Sequence, residues 1–269
     1  MDQSAFAFSV RDVWYAYKEI PALNGISLAV KQGERIALLG PNGSGKSTLL
    51  RLLAALSFPQ RGEVSFHGEN LSEEHFSDEE FSLRFRRRVG IVFQNPDIQL
   101  FNASVFEEIA FGPLQMRWPK EKIRQSVEAV LTQLGITALR DRPPYRLSGG
   151  EKKRVALASV LVLDPEVILL DEPTAGLDPD SQNELVRLMS SWAGGSRTTV
   201  ISTHDLDTLE DVADRCYILN RGQVAGEGEP LRILHDVDLL ERTNLLRPHR
   251  HAHHGGEASP HPHIHVDRE

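Results

Sequence analysis

The segment Gly40–Ser47 (GPNGSGKS) constrains the possible folds more strongly than any other part of the sequence. It follows the short apolar run Arg35–Leu39, which fits a buried strand of a parallel sheet, and it overlaps the start of a predicted helix at Ser47–Leu56. Its glycines let backbone N–H groups converge on phosphate oxygens, and the following helix points its positive end at the same anion. The pattern therefore predicts a strand–loop–helix unit that binds a nucleotide phosphate. A glycine-rich turn that closes a βα unit is the alternative.

Specific roles follow from the chemistry of this loop. Lys46 is expected to reach the β- and γ-phosphates of the nucleotide, and Ser47 is expected to coordinate Mg²⁺. The loop by itself indicates only that the ligand is a nucleotide. The residues expected to contact the nucleotide are Gly40, Pro41, Asn42, Gly43, Ser44, Gly45, Lys46, Ser47 and Thr48.

Predicted strands and helices alternate along most of the chain. The predicted strands are Phe6–Tyr17, Leu23–Val30, Arg35–Leu39, Arg61–His67, Val89–Phe93, Val167–Leu170 and Thr198–Ser202. The predicted helices are Ser47–Leu56, Ser72–Arg88, Lys120–Leu134, Glu151–Leu163, Gln182–Trp192 and Leu206–Ala213. Because strands that alternate with helices are typical of crossover connections, we expect an α/β domain with a mostly parallel sheet.

The bulk properties exclude several classes of protein. A chain of 269 residues is expected to form one large domain, or one domain with a subdomain, and its net charge of -8 argues against nucleic-acid binding by the whole chain. The single cysteine, Cys216, excludes an intrachain disulfide and fits a reducing cytoplasm. No apolar run reaches the roughly 18 residues that a membrane helix needs, and Met1–Arg11 lacks the pattern of a signal peptide. A role at a membrane would therefore require docking on membrane partners.

Two acidic residues follow the strand predicted at Val167–Leu170. Asp171 and Glu172 lie where open α/β sheets bind ligands, beyond the carboxyl ends of the strands. Asp171 is expected to hold Mg²⁺ through water, and Glu172 to polarise the attacking water as a general base. The alternative is a helix N-cap or a loop acid beside Pro173, which the nearby phosphate loop disfavours.

A second glycine-lined helix start occurs at Ser148-Gly149-Gly150, before the helix predicted at Glu151–Leu163. It offers free N–H groups and a serine hydroxyl. Because one compact site rarely needs two anion-binding segments, this segment is interpreted as serving the nucleotide of another subunit. Ordinary capping, with Ser148 as the N-cap, is the alternative, and the local sequence alone favours it.

Over roughly Val10–Gly228 the chain resembles the nucleotide-binding subunit of an ATP-binding-cassette (ABC) transporter. The resemblance rests on GPNGSGKS, Gln94, LSGGE, VILLDEP, the segment Ala175–Asp178 and the strand-end His204. It implies a phosphate-loop NTPase core with a mostly parallel sheet, an antiparallel β subdomain and an inserted α-helical subdomain at about residues 95–160. The cassette is then expected at residues 1–248, followed by a flexible histidine-rich tail at residues 249–269.

The resemblance assigns further roles by position. Tyr17 resembles the aromatic residue that stacks on adenine, with Tyr15 as the less favoured choice. Gln94 resembles the residue that contacts Mg²⁺ or the attacking water and senses the membrane partner. The implied catalytic residues are Lys46, Gln94, Glu172 and His204, and the implied Mg²⁺ ligands are Ser47, Gln94 and Asp171. The cofactors that the resemblance implies are ATP and Mg²⁺.

Other positions are implied to act at the γ-phosphate or between subunits. Ser148 and Gly150, with Gly149 between them, would contact the γ-phosphate across a head-to-tail dimer. Asp178 resembles the loop residue that links the two sites, and His204 resembles a switch histidine that contacts the γ-phosphate. For His204 the alternative is a polar strand-end residue that precedes a helix-capping aspartate.

The segment Phe93–Phe101 (FQNPDIQLF), followed by Glu107–Pro113, is similar to energy-coupling-factor importer ATPases. These proteins power uptake of vitamins or transition metals through a shared transmembrane coupling protein. The similarity implies that loop residues after Gln94 line the groove that receives the coupling helix, although Leu100 and Phe101 are alternatively interpreted as core. The implied partners are a second cassette subunit, the transmembrane coupling protein and a substrate-binding membrane protein, at the cytoplasmic face of the cell membrane.

Most of the histidines lie at the end of the sequence. Seven of the eleven are His249, His251, His253, His254, His261, His263 and His265. The interspersed glycines and prolines prevent a core, so this segment is expected to be disordered without a ligand. Imidazole suits Ni²⁺, Co²⁺, Cu²⁺ and Zn²⁺, and so dense a cluster is expected to bind such ions without a fixed geometry. A purification tag, a solvated tail and pH buffering are the alternatives.

These features together predict an ATPase that drives import of Ni²⁺ or Co²⁺ and has no nucleic-acid partner. The tail would store, sense or capture the imported ion. The first alternative is a vitamin importer of the same type. A soluble cassette ATPase acting on DNA or ribosomes is disfavoured by the single phosphate loop, and a metal-buffering protein is disfavoured by the intact ATPase motifs. Because one chain carries both Glu172 and LSGGE, a homodimer is favoured over a heterodimer.

Overall fold

The computed structural model describes residues 6–246. Its strands are β1 (Phe6–Tyr17), β2 (Ile20–Lys31), β3 (Arg35–Leu39), β4 (Arg61–Phe66), β5 (Glu69–Asn70), β6 (Val89–Val92), β7 (Val167–Asp171), β8 (Thr198–Thr203), β9 (Arg215–Asn220) and β10 (Gln223–Gly228). Its α-helices are α1 (Lys46–Leu53), α2 (Glu73–Phe76), α3 (Glu79–Arg88), α4 (Val105–Gln115), α5 (Lys120–Gln133), α6 (Gly149–Leu161), α7 (Pro179–Ser190), α8 (Leu209–Val212), α9 (Pro230–His235) and α10 (Val237–Arg242). Short 3₁₀ turns lie at Pro96–Ile98, Thr137–Leu139 and Pro144–Arg146.

The central sheet has the strand order β10-β9-β3-β8-β7-β6. Its neighbouring strands are parallel, except that β10 pairs antiparallel with β9. Strands β3, β7 and β8 are buried throughout, which fits their apolar and β-branched sequences. The register places Leu39 opposite Thr203 and Asp171 opposite Ser202. The carboxyl ends of β3, β7 and β8 therefore meet at one edge of the sheet.

A separate antiparallel sheet has the order β2-β1-β4-β5. One apolar cluster joins this sheet to β3 and α1, and it includes Phe8, Ile26, Phe66, Ile36 and Leu50. Full burial of one such side chain stabilises the fold by about 1.5–3 kcal/mol. The cluster thus fixes the helix that follows the phosphate loop against both sheets.

The chain between β6 and β7 is largely helical and contains α4, α5 and α6. A second apolar cluster joins these helices through Ile109, Val127, Leu131 and Val155, and it reaches the central sheet at Ile168. The parallel core, the antiparallel sheet and the inserted helices confirm the predicted fold class. Among the helices of residues 6–246, none combines the length and the apolar character needed to cross a bilayer.

Two predicted helices are shorter than expected. The predicted helix Ser72–Arg88 is divided into α2 and α3, because the side chain of Asp78 caps the start of a new helix. The predicted helix Leu206–Ala213 is reduced to α8, because Asp205 accepts a hydrogen bond from the Asp207 backbone and holds this stretch as a turn. Side-chain capping thus wins over continuous helix at both places.

Six elements of the structure are absent from the sequence-based prediction: α4, α9, α10, β5, β9 and β10. Helix α4 contains Gly112 and Pro113, which disfavour a helix interior. However, Ser104 caps its start, and Val105, Ile109 and other apolar residues of α4 join the second cluster. Burial of this apolar face therefore outweighs the local propensity.

Candidate active site

The phosphate loop connects β3 to α1, and its lysine is turned inward. Lys46 is buried, and its Nζ donates hydrogen bonds to the carbonyl oxygens of Gly40 at 2.7 Å and Pro41 at 3.2 Å. Burial lowers the pKa of Lys46, while the charges of Glu172 and Asp171 oppose that shift. The loop thus encloses an ammonium group whose carbonyl partners a phosphate can replace.

Neighbouring segments hold the loop in its conformation. Gly40 has a φ of 149°, and a Cβ there would lie 2.3 Å from a carbonyl oxygen of β9. Gly45 has a φ of 108°, and a Cβ there would lie 2.8 Å from the carbonyl oxygen of Ala22. The turn between β9 and β10 also contributes, since the Gly222 N–H donates to the carbonyl oxygen of Ser44 at 3.0 Å. Glycine is therefore required at positions where other backbone approaches the loop.

Asp171 ends β7 beside the first helical turn after the loop. Its Oδ1 accepts hydrogen bonds from Ser47 Oγ at 3.0 Å and from Ser202 Oγ at 2.5 Å. Two of the predicted Mg²⁺ ligands, Ser47 and Asp171, are therefore in direct contact. Ser202 was missed by sequence analysis. The available signal was a serine inside the buried strand β8, because a buried hydroxyl needs a hydrogen-bond partner.

Side chains from three other segments surround Glu172. Its Oε2 accepts a hydrogen bond from Gln94 Nε2 at 2.9 Å. Its Oε1 lies 3.4 Å from His204 Nδ1 and 3.7 Å from Lys46 Nζ. The four residues predicted to be catalytic thus meet at one point, where Glu172 is buried and His204 is largely exposed.

The backbone of Glu172 is in the left-handed region, with a φ of 43°. Its N–H lies 3.1 Å from the carbonyl oxygen of Ser202 and 3.0 Å from Ser202 Oγ. On the other side, Lys153 of α6 donates to the carbonyl oxygen of Glu172 and to those of Pro173 and Ala175. Because such a backbone costs about 1–3 kcal/mol, these contacts hold a conformation that the chain alone disfavours. Sequence analysis missed Lys153, which follows LSGGE on a helix face that no motif marks.

The two tyrosines near the end of β1 differ in exposure. The Tyr17 ring is exposed, and its hydroxyl lies 3.5 Å from Thr48 Oγ1 in α1. Tyr15 is half-buried against the first apolar cluster and meets the Tyr17 ring edge to face, with centroids 5.1 Å apart. Tyr17 is therefore the ring that is available to a base bound beside the phosphate loop.

The segments predicted to serve a second nucleotide stand apart from this cluster. Ser148 Oγ accepts from the Glu151 N–H at 3.3 Å, and Glu151 Oε2 accepts from the Ser148 N–H at 2.7 Å, which starts α6 at Gly149. Asp178 caps α7 by accepting from the Ser181 N–H at 3.0 Å. Within residues 6–246, neither Ser148 nor Asp178 has a hydrogen bond to the phosphate loop. In the single chain both residues perform ordinary capping.

A groove with a volume of about 850 Å³ lies on another face. It is bounded by α3, by the connection from α4 to α5 and by the residues after α6, and its lining includes Arg84, Trp118, Lys122 and Asp164. The loop 95–102 contributes no residue to this groove, and the expectation that loop residues after Gln94 line a groove for a coupling helix stays a prediction. Local sequence patterns do not predict this surface, because its residues come from separate segments.

The loop after Gln94 instead divides its apolar side chains between core and surface. Leu100 packs against the second apolar cluster, which agrees with its alternative interpretation as core. Phe101 is 67% exposed and meets the ring of Phe111 edge to face, with centroids 5.0 Å apart. Ile98 and Leu114 are also exposed. We call the contacting pair Phe101 and Phe111 the apolar patch.

The predicted transition-metal ligands, from His249 to His265, lie outside the described residues. Within residues 6–246, no group of three or more histidine, cysteine, aspartate or glutamate side chains is arranged to hold a metal ion.

Comparison with curated proteins shows close relatives over most of the chain. The chain is 54% identical over 243 residues to the nickel import ATP-binding protein NikO of Rhodobacter capsulatus, covering 89% of this chain and 96% of that protein. It is 42% identical to the energy-coupling factor transporter ATP-binding protein EcfA of Methanothermobacter thermautotrophicus, covering 89% of this chain and 76% of that protein.

Solved structures share the fold. CbiO1 of Clostridium perfringens, described as part of the ABC transporter complex CbiONQ, aligns with a TM-score of 0.75 and 37% identity over 90% of this chain and 95% of that chain. A dimeric post-hydrolysis state of the ATP-binding cassette MJ0796, bound to ADP and Pi, aligns with a TM-score of 0.74 and 28% identity over 83% of this chain and 98% of that chain.

The sequence profile of the family described as "ABC transporter" matches residues 23–175, which is more than half of the 269 residues. This range contains the phosphate loop, Gln94, Ser148–Gly150 and the acidic pair at the end of β7. Together with relatives of 42% and 54% identity over 89% of the chain, the match shows that the chain belongs to the ABC transporter family, as one of its ATPases.

Proposed function

We propose that this ATPase powers import of a divalent transition metal, nickel or cobalt, as a subunit of an energy-coupling-factor transporter. The observation that carries the proposal is the 54% identity to a nickel import protein over 96% of that protein's length. The similarity to CbiO1 of the CbiONQ complex and to EcfA supports the transporter type. A vitamin importer of the same type is the alternative that the EcfA similarity keeps open.

In this proposal Glu172 is the general base. Both of its carboxylate oxygens face donors, with Gln94 at 2.9 Å on one oxygen and His204 and Lys46 at 3.4 Å and 3.7 Å from the other. A γ-phosphate attracts the Lys46 ammonium and the His204 imidazole, which lie on the same oxygen of Glu172. That oxygen is then free to accept a proton from the attacking water. Nucleotide binding would therefore switch the base from an occupied to an available state.

The residues beside the phosphate loop fit Mg²⁺. Ser47 Oγ and the Asp171 carboxylate are 3.0 Å apart, and hydroxyl and carboxylate oxygens are the ligands that Mg²⁺ prefers. Gln94, whose amide nitrogen contacts Glu172, would supply an amide oxygen. Ser44 Oγ is buried and has no hydrogen-bond partner among residues 6–246, which fits a hydroxyl reserved for a phosphate. Mg²⁺ held by Ser47, Asp171 and Gln94 would neutralise charge on the β- and γ-phosphates.

The second nucleotide-binding segment supports a head-to-tail homodimer. Ser148 and Gly149 are exposed at the start of α6, and Asp178 is exposed at the start of α7. Because neither segment contacts the phosphate loop of its own chain, a γ-phosphate bound by a second copy is the natural ligand of Ser148–Gly150. Tyr17 would stack on the adenine of the same chain, and Asp178 would lie between the two sites.

Membrane partners would dock on the groove and the apolar patch. The groove has the size of a small helix segment, at about 850 Å³, and it presents both apolar and charged side chains. Within the apolar patch, Phe101 lies in the loop that follows Gln94 and contacts Phe111 of α4, so a force on Phe101 would be transmitted along the loop to Gln94, which contacts Glu172. We therefore place a transmembrane coupling protein here, a substrate-binding membrane protein beside it, and the ATPase at the cytoplasmic face of the membrane.

The histidine-rich segment 249–269 supports metal over vitamin cargo. Its seven histidines are ligands for Ni²⁺ and Co²⁺ rather than for an organic vitamin. We propose that the segment captures or buffers the imported ion and has no part in catalysis.

Uptake in cells tests the proposal. Cells that lack the chain are complemented with the full chain, with Glu172→Gln or with a chain ending at residue 248, and uptake of radioactive nickel, cobalt and vitamins is compared. The full chain is expected to restore uptake of nickel or cobalt, and Glu172→Gln is expected not to restore it. The shortened chain is expected to retain uptake at saturating metal and to lose it at limiting metal. Vitamin uptake that depends on the chain, with metal uptake unaffected, would overturn the cargo assignment.

A further inference from the structure

Lys153 is a buried cation whose hydrogen-bond partners are all backbone carbonyl groups. It is 9% exposed and lies in the second turn of α6. Its Nζ donates to the carbonyl oxygens of Glu172 at 3.3 Å, Pro173 at 2.8 Å and Ala175 at 2.5 Å. An ammonium group has three N–H donors, so all of them are used on the four residues 172–175.

Packing alone does not explain a lysine here. Burial lowers the pKa of Lys153, which reflects the cost of a buried charge, although the charge of Glu172 acts in the opposite direction. Val155 and Ala156, on the same helix, fill the core without this cost. An apolar residue at position 153 would leave the carbonyl groups of Pro173 and Ala175 without a donor among residues 6–246, and would leave that of Glu172 with the Ala175 N–H alone. The lysine therefore serves the loop that follows Glu172.

The adjacent basic residues differ in kind. Lys152 Nζ contacts the exposed carboxylate of Asp97 at 2.6 Å, and Arg154 pairs with Glu184, whose side chain is also exposed. Such pairs on the surface contribute little to stability. Lys153 is distinguished from them by its burial and by its uncharged partners.

Residues 172–175 decide where the Glu172 carboxylate points. Glu172 has a left-handed φ of 43°, and its N–H side is anchored on Ser202. On its carbonyl side, Lys153 adds to the single turn bond from the Ala175 N–H at 3.2 Å. Without Lys153, the peptides after Glu172 can relax toward a common backbone conformation. That relaxation would move the carboxylate away from Gln94 and Lys46.

We propose that Lys153 is a positioning residue for ATP hydrolysis, whose ammonium holds the carbonyl groups of Glu172, Pro173 and Ala175 and thereby keeps the Glu172 carboxylate aimed at the attacking water. This inference rests on the proposed role of Glu172 as the general base. Because α6 begins at the segment Ser148–Gly150, the same contact links the segment for the second nucleotide to the base of its own chain. A shift of α6 is then transmitted to Glu172.

Kinetics of the purified full chain separate positioning from folding. In Lys153→Met, kcat is expected to fall about 10- to 100-fold, as for other misplaced catalytic groups, while the Kd of a non-hydrolysable ATP analogue stays within about threefold. Lys153→Gln keeps two donors and is expected to recover part of kcat. The matched control Lys152→Met removes the neighbouring charge, and its kcat is expected to stay within about twofold of the parent value. An unchanged kcat in Lys153→Met would overturn the proposal.

A double-mutant cycle then shows whether Lys153 acts through Glu172. In the Glu172→Gln background, Lys153→Met is expected to change the residual turnover by less than about twofold, because the group it positions is already absent. An equal loss in both backgrounds would mean a general structural role and would overturn the proposal. Glu172→Gln alone tests the general base. Normal turnover in that single variant would overturn the role of Glu172 itself, and the inference about Lys153 with it.

Discussion

The two glycine-lined helix starts of this chain differ in how completely their own chain surrounds them. At the phosphate loop, Lys46 and Ser44 are buried, and the turn between β9 and β10 braces the backbone. At the start of α6, Ser148 and Gly149 are exposed, and among residues 6–246 the side-chain bonds of Ser148 stay within the same helix. The phosphate loop is thus enclosed by its own chain, whereas the start of α6 is exposed to solvent.

The difference extends to the N–H groups that each helix leaves for a ligand. Gly45 caps α1 without a side chain, so the first-turn N–H groups of α1 have no side-chain acceptor at the cap. At α6, the reciprocal bonds of Ser148 and Glu151 occupy two donors. The Ser148 hydroxyl accepts one of these bonds and still has its own proton to donate. The first helix start is suited to binding a phosphate alone, and the second to adding a contact to a phosphate held elsewhere.

The largest effect on turnover is expected from substitution of Glu172, the proposed general base beside the phosphate loop. Glu172→Gln is expected to lower turnover by about 10²–10⁴-fold, because the amide cannot accept the proton. ATP binding is expected to persist, because Lys46 and the loop backbone are unchanged. Phosphate release and nucleotide titration measure the two quantities, with Glu121→Gln on the exposed face of α5 as the matched control. If Glu172→Gln lost ATP binding as well as turnover, the separate roles of the phosphate loop in binding and of Glu172 in hydrolysis would be contradicted.

A substitution of Ser148 tests whether the exposed start of α6 acts on the nucleotide of a second copy. Ser148→Arg is expected to leave ATP binding within about threefold and to lower turnover about tenfold or more, because a bulky cation blocks the segment that meets a second copy. ATP-dependent dimers of Glu172→Gln, seen by light scattering, are expected to disappear when Ser148→Arg is added. Ser72→Arg is the control, since Ser72 is also an N-cap but lies at α2. Turnover that depends linearly on protein concentration in all variants would argue against a working dimer.

The same contrast explains what could be predicted from the sequence. The phosphate loop, Asp171 and Glu172 lie at strand ends, where a local motif and the parallel sheet fix their position. The sequence therefore predicts in outline that the two acids lie beside the loop. In the structure Asp171 Oδ1 is 3.0 Å from Ser47 Oγ, and Glu172 Oε1 is 3.7 Å from Lys46 Nζ. Lys153 and the groove could not be predicted, because they arise where α6 and α3 pack on segments distant in sequence. Helix α4 was missed because Gly112 and Pro113 hide a helix that tertiary burial stabilises.

Substitution of Gly222, whose N–H bonds to the phosphate loop, is expected to have an intermediate effect on stability and on ATP binding. Gly222 has a φ of 75°, and a Cβ there would lie 2.7 Å from the carbonyl oxygen of Ala22. Gly222→Ala is expected to cost about 1–3 kcal/mol in unfolding free energy and to weaken ATP binding, because the turn would withdraw from Ser44. Gly135→Ala is the matched control, since Gly135 has a φ of 65° with no atom within 4 Å of the added Cβ. Urea unfolding and nucleotide titration of both variants should show that only Gly222→Ala affects ATP.

The smallest effect is expected at the opposite end of β7, where Glu166 precedes the strand. Arg88 donates hydrogen bonds at 2.8 Å to each carboxylate oxygen of Glu166, and these bonds lower the pKa of Glu166. The positive charge of Arg88 lowers that pKa further. The pair is partly exposed, so Arg88→Met is expected to reduce the unfolding free energy by about 1 kcal/mol or less. The contribution of a carboxylate with a lowered pKa is complete above the pKa of the unfolded chain and is lost as pH falls through the pKa of the folded state. Urea unfolding from pH 7 into acid should therefore show the parent and Arg88→Met converging. A difference that persists unchanged in acid would mean that Arg88 stabilises the fold by packing on Phe66 rather than through Glu166.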